Sequence, residues 1–285
     1  MSVTPLARRL GAAAVVLSLS AGLSSCSDDA ASSDSSSSAT AEDTHAAADG
    51  SAGEESQAPA APSLPELSVD DFYPSVMAAM REAETFAFET VSDSAGQSQT
   101  TSGQARFSGA GMEMKASSTG AQAMELILLG QAMYVKSSDL GTGDTWVKID
   151  LSDPDSLFGM IGKATDPEVM FKALEEPKKL ELVGAEDVDG VATNHYRITL
   201  DPAKYLAAMD FPAAMADMLP KELVTEMWVD ADDLPRKFAQ TIEVPAVGGG
   251  QPTTSTTEGT YSDFGTDVEI EAPPASEVTE DLPGA

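Results

Sequence analysis

From Thr85 onward apolar residues recur at every second position, and this change of period limits the fold more than any other feature of the chain. "TFAFETV" sets Phe86 and Phe88 on one face, "GQARFSG" does the same with Ala105 and Phe107, and "MEMKA" with Met112 and Met114. "AMYVK" offers Met133 and Val135, and "DTWVKID" ends the series at Asp150. "AMELILL", with Met124 and Leu126, is apolar on both faces, as a strand covered from both sides would be. Short alternating runs broken by Gly, Ser and Asp clusters predict an antiparallel sheet with one wet face.

Helical signals interrupt the strands. "SVDDFYPSVMAAMREAE" (Ser68 to Glu84) carries an apolar stripe of Val76, Met77, Met80 and Ala83, and Pro74 fits only its first turn. "DPDSLFGMIGK" and "DPEVMFKALEE" each open on Asp-Pro, an N-cap followed by the favoured first helical residue. Strands resume in "KLELVGAEDVDG" and "VATNHYRITL". There Tyr196, Ile198 and Leu200 share one face, opposite Thr193, His195 and Arg197. "DPAKYLAAMDFPAAMADML" is again helical, "VTEMWVD" and "PRKFAQTIEV" form a hairpin around "ADDLP", and "TTSTTEGTYSDFG" supplies a last strand. Without regular βαβ alternation this order means α+β: a curved antiparallel sheet, a half-open β-barrel, with helices covering the concave face.

The N-terminus has a different composition. Arg8 and Arg9 precede an uncharged stretch from Leu10 to Leu23, the layout of a secretory signal and short of the roughly 20 apolar residues of a membrane span. The one cysteine of the chain follows at once, in Leu23-Ser24-Ser25-Cys26. This stretch resembles the lipobox of bacterial lipoproteins, which implies that Cys26 is acylated on sulfur and anchors the mature chain. Residues 1–25 are then a lipoprotein signal peptide. Residues 26–64 form a Ser/Ala/acidic linker with too little apolar surface to fold. Residues 65–273 are the domain, and 274–285 are expected to be a loose tail.

Charge and motifs exclude more than they identify. Sixteen basic residues face 47 acidic ones, a net of −31, which argues against nucleic acid and against electrostatic docking on anionic lipid heads. No nucleophile elbow, phosphate loop, His-Glu-x-x-His or calcium loop is present, so neither an enzyme nor a cofactor or metal is expected. His195 reads as one member of a strand's polar face, His45 lies in the linker, and the glycine-rich "VPAVGGGQP" reads as a hairpin turn. The unusual feature is methionine, 13 residues in a chain with only 6% aromatics, because Met lines adaptable apolar surfaces. Met77, Met80, Met112, Met114, Met124, Met133, Met160, Met170, Met209, Met215 and Met218 are candidate walls of an apolar cavity. Phe86, Phe88, Phe107, Leu126, Tyr196 and Ile198 join them. An ordinary filled core of the same residues is the competing expectation.

Three stretches carry a family resemblance: "TWVKIDLSDP" (Thr145 to Pro154), "GAEDVDGVATNHYRITLDPAKYL" (Gly184 to Leu206) and "MWVDADDLPRKF" (Met227 to Phe238). They resemble the actinobacterial LppX/LprAFG lipoproteins, a family related in fold to the periplasmic carrier LolA. The resemblance implies a LolA-like lipid-binding domain that takes acyl chains of a lipid or acylated glycolipid, such as palmitate, and carries them from the plasma membrane. The helical stretches Asp153 to Glu176 and Asp201 to Leu219 would be its lid. A monomer attached to the outer face of the membrane through Cys26, with an envelope transporter as a further partner, is the expected arrangement. The alternative is a filled-core envelope scaffold that carries no lipid.

Overall fold

In the computed structural model the described residues are 64–109, 111–120, 123–138, 141–153, 169, 172, 174, 177–209, 211, 216, 219–244 and 253–281. Cys26, His45, Met160, Met170, Met215 and Met218 lie outside them.

The first helix, α1 (Phe72–Ala83), lies within the helical stretch read from the sequence and starts after Asp71. Ser68 Oγ donates to Asp71 Oδ2 at 2.6 Å and its carbonyl accepts from the Phe72 amide at 2.9 Å. These bonds spend residues 68–71 on a turn, and the helix starts where that turn ends. Pro74 sits in the first turn as expected. α1 buries Phe72, Tyr73, Val76 and Met80 and stops at Glu84, whose positive φ of 63° turns the chain into the sheet.

Six strands follow: β1 (Thr85–Ser94), β2 (Gln97–Ser108), β3 (Gly111–Gly120), β4 (Met124–Leu129), β5 (Ala132–Lys136) and β6 (Trp146–Asp150). The chain then leaves one edge of the sheet and re-enters at the other. There β7 (Lys179–Val188) and β8 (Val191–Leu200) pair, followed by α2 (Pro202–Ala208), β9 (Leu223–Val229), β10 (Pro235–Val244) and β11 (Thr253–Ser262). Asp201 caps α2 through its side chain, which accepts from the amides of Ala203 at 2.9 Å and Lys204 at 3.3 Å. Asp201 and Pro202 are thus the N-cap and first helical residue of α2.

Among the described residues all the strands belong to one sheet, in the order β12-β6-β5-β4-β3-β2-β1-β11-β10-β9-β8-β7, where β12 is Val278–Thr279. Two meanders thus meet at the β1–β11 pair, where Phe88 faces Tyr261. The sheet is curved and unclosed, since β12 and β7 are edges that do not pair with each other. Between β6 and β7, Val169 and Leu174 pack on the inner apolar cluster.

The expected turn between β7 and β8 is in place. β7 and β8 are joined through Asp189 and Gly190, with φ of 52° and 84°, the left-handed pair of a type I′ hairpin. β10 and β11 pair down to Val244 opposite Thr253, and the rest of the glycine-rich stretch lies outside the described residues.

The C-terminus differs from the loose tail expected after Pro273. A 3-10 turn (Ala275–Glu277) leads into β12 (Val278–Thr279), which pairs parallel to Trp146 and Val147 of β6. Ile270 is buried against Ile127 and Trp146 on the outer face. The two-sided apolarity of "AMELILL" has its cause here. Leu126 and Leu128 point into the main core, and Ile127 lies under the returning C-terminal segment.

Candidate functional site

The alternation read from the sequence becomes a physical division between two faces. On β1, β2 and β3 the residues Phe86, Phe88, Ala105, Phe107, Met112 and Met114 point inward. Met124 and Leu126 of β4, Met133 of β5, and Tyr196 and Ile198 of β8 join them, as do Met77 and Met80 from α1 and Met209 after α2. Every described candidate therefore belongs to one continuous apolar cluster between the sheet and the helices.

Rings meet at two places in this cluster. The Phe86 ring lies 6.0 Å from Phe107, 5.8 Å from Tyr261 and 6.2 Å from Phe264, and Phe72 of α1 meets Tyr196 edge-on at 4.9 Å. Phe72, Tyr73, Tyr261 and Phe264 were not among the sequence candidates. The first two precede Pro74, where the apolar stripe was not yet counted; the last two sit in a Thr-rich strand and the turn after it. Two inward glycines make room for rings: Phe88 lies opposite Gly103, and Phe238 lies opposite Gly259. Burial, and next the charge of Tyr205 and of Tyr261, raises the Tyr73 phenol far above its ordinary range. Burial also pushes Tyr205 and Tyr261 up to about 12. These three phenols thus stay neutral, and the concave face gains no charge from them.

Buried polar side chains on this face include Thr101, Ser118, Gln240, Ser255 and Thr257, as well as Asn194 on β8. Asn194 Nδ2 donates to the Pro65 carbonyl at 2.9 Å and to the Tyr196 hydroxyl at 3.3 Å. That hydroxyl also accepts the backbone N–H of Leu67 at 2.9 Å. Among the described residues no buried side-chain nitrogen or oxygen lacks a partner.

The outer face carries a second arrangement. His195, buried on β8, has Nδ1 2.9 Å from Glu186 Oε1 of β7, and its Nε2 is bonded to Glu226 of β9. Its ring stacks on Trp228 at 4.0 Å, and Trp228 Nε1 donates to Glu186 Oε2 at 2.7 Å. Arg197 holds the other oxygen of Glu226 at 2.9 Å. The expected polar-face position of His195 is thus correct, and the ring ties three strands together. Beside it lies an open groove of about 580 Å³, which Glu89, Asp93, Glu186, Asp187, Asp189 and Glu258 make acidic. Among the described residues, no group of three or more His, Cys, Asp or Glu is placed to hold a metal.

This is an unclosed antiparallel half-barrel with an apolar cluster on its inner face. No family model matches the chain. An uncharacterized 31.2 kDa protein in the rplA–rplJ intergenic region of Streptomyces griseus is 29% identical over 172 residues, covering 53% of this chain and 52% of that relative. The chain thus spans about half the length of that relative. Among solved structures, Mycobacterium tuberculosis lipoprotein LppX has a TM-score of 0.45 and 15% identity over 70% of this chain and 99% of its own. LprF from Mycobacterium bovis gives 0.45 and 13% over 72% and 96%. MucB of Pseudomonas aeruginosa, solved with MucA, gives 0.38 and 15% over 72% and 61%. Among the described residues no helix is long and apolar enough to cross a membrane.

Proposed function

We propose that this protein is a lipid-anchored lipoprotein of the cell envelope. In this reading it binds the acyl chains of lipids or glycolipids against its concave face and carries them from the plasma membrane. The observation that carries the proposal is the single apolar cluster lining the inside of a sheet whose edges do not close. Burying sixteen methylenes is worth on the order of 12 kcal/mol, so such a face needs few polar contacts to hold a chain. An unclosed sheet crossed by helices can open without breaking a barrel. Cys26 supplies the anchor, and residues 26–64 form a tether reaching roughly 35 Å. The carrier acts as a monomer, does no chemistry on its cargo, and passes it to an envelope transporter.

The test is to purify the protein with Cys26→Ser from its membrane-free fraction, extract it with organic solvent and analyse the extract by mass spectrometry. Stoichiometric acyl lipid supports the carrier. An empty extract together with no uptake of a fluorescent fatty acid removes it.

One observation favours the second reading, a scaffold with a filled core. Phe86 is already in contact with four other rings, and Met114 is 1% exposed. A scaffold would retain one stoichiometric protein partner and no lipid.

A further inference from the structure

The inner face of β8 alternates Asn194, Tyr196, Ile198 and Leu200, two polar side chains followed by two apolar ones. Asn194 is 5% exposed and Tyr196 1%, so both need partners that water does not supply. Their partners are backbone groups of residues 64–67. The Asn194 amide donates to the carbonyls of Pro65 at 2.9 Å and Leu64 at 3.4 Å. The Tyr196 hydroxyl accepts the Leu67 amide at 2.9 Å.

That short segment is attached lightly. It has no strand or helix, and Pro65 and Glu66 are exposed. Leu67 is its one described residue packed against the inner cluster. Segments with few buried contacts open at low free energy. When this one lifts, a donor and an acceptor face the end of an apolar floor that begins at Phe72 and Ile198.

From this we infer that Asn194 and Tyr196 form the subsite for the carbonyl-bearing head of an acyl lipid, a place the chain's own Leu64–Leu67 segment occupies in this structure. The inference rests on the concave face being the acyl site. An ester, amide or carboxyl oxygen accepts as the Pro65 carbonyl does, and a glyceryl or sugar hydroxyl donates as the Leu67 N–H does. The boundary between polar and apolar residues on β8 matches the boundary between head and chain. Because an unpartnered buried amide is costly, the segment and the lipid head exchange at this point. The segment is therefore a competitor, and loosening it strengthens binding.

Competition makes the signs of two substitutions opposite. The full chain with Cys26→Ser, which takes no acyl group of its own, is titrated with a fluorescent sixteen-carbon monoacylglycerol, whose head carries both an ester carbonyl and hydroxyls. Leu67→Pro removes the amide donor and loosens the segment, and is expected to tighten binding about fivefold, the effect of one hydrogen bond. Leu67→Ala keeps the amide, and a smaller gain in the same direction guards against a Pro variant that fails to fold. Tyr196→Phe and Asn194→Leu each weaken binding about fivefold. Binding that is equal in all variants, or weaker in both Leu67 variants, overturns the subsite and leaves the carrier standing. Binding of the probe by no variant overturns both.

Discussion

The indole nitrogen of Trp228 on β9 donates to Glu186 on β7 at 2.7 Å, reaching across β8. The Trp228 bond first, then the bond to His195 and the charges of His195 and Lys237, hold the Glu186 carboxyl below its ordinary 4.5, against an opposing desolvation. The sign follows from that direction. A depressed carboxyl stabilises the fold above the unfolded value and ceases to do so as pH falls through the folded one. Glu186 is half exposed, so solvent screening keeps the effect small. Glu186→Gln should melt about 1 °C below the wild type from pH 6 to 8, and the gap should close as the pH falls below the ordinary carboxylate range. Thermal melts across that range check it, and a gap that widens in acid would contradict the assignment.

Gly103 and Gly259 are paired with rings, and adding a Cβ separates steric necessity from accident. At Gly103 it would stand 2.5 Å from the Lys115 carbonyl and 2.8 Å from the Phe88 ring, and at Gly259 it would enter the Phe238 ring. Each Gly→Ala change should cost about 1–3 kcal/mol by overpacking. Gly103 should be the worse, because a backbone carbonyl cannot swing aside. Gly184, with nothing within 4 Å, is the control and should shift stability by no more than about 0.5 kcal/mol. Denaturant midpoints measure all three.

The C-terminal segment should behave as part of the domain. Ile270 is 3% exposed against Ile127 and Trp146, and β12 covers the β6 edge. Ile270→Ala should cost about 2–4 kcal/mol. In a Trp228→Phe background it should also shift Trp146 emission to the red. A segment around Ile270 that contributed nothing would leave both unchanged.

Under the proposed anchoring, Cys26→Ser should move the protein from the membrane to the soluble fraction of a fractionated cell, because firm attachment takes two acyl chains. Retention on the membrane without acylation would require a different attachment.

Much of this fold was legible because period-two alternation is a direct imprint of a half-wet sheet. The strands from Phe86 to Asp150, the Asp189-Gly190 turn and the Asp201 cap all follow from local chemistry. Less legible was what depends on distant partners. Nothing near Ile270 announces that it will cover Ile127, more than a hundred residues earlier. His195 looked like any polar-face residue, because Glu186 and Glu226 reach it only after three strands align. Asn194 and Tyr196 gave no sign of gripping residues 64–67, since a side chain bonded to a distant backbone leaves no spacing to read. The Met-rich pattern placed the candidates on one face but could not separate a filled interior from one that opens. Both share the same periodicity.

The decisive measurement is a crystal structure of the protein grown with a fatty acid carrying bromine near its methyl end, read from the anomalous bromine signal. The expected result is a bromine peak on the concave face among Met114, Leu126 and Met133, with the neighbouring side chains moved aside. Bromine found only on outer surfaces, over an inner cluster packed as it is here, would contradict the carrier and leave the half-barrel a scaffold.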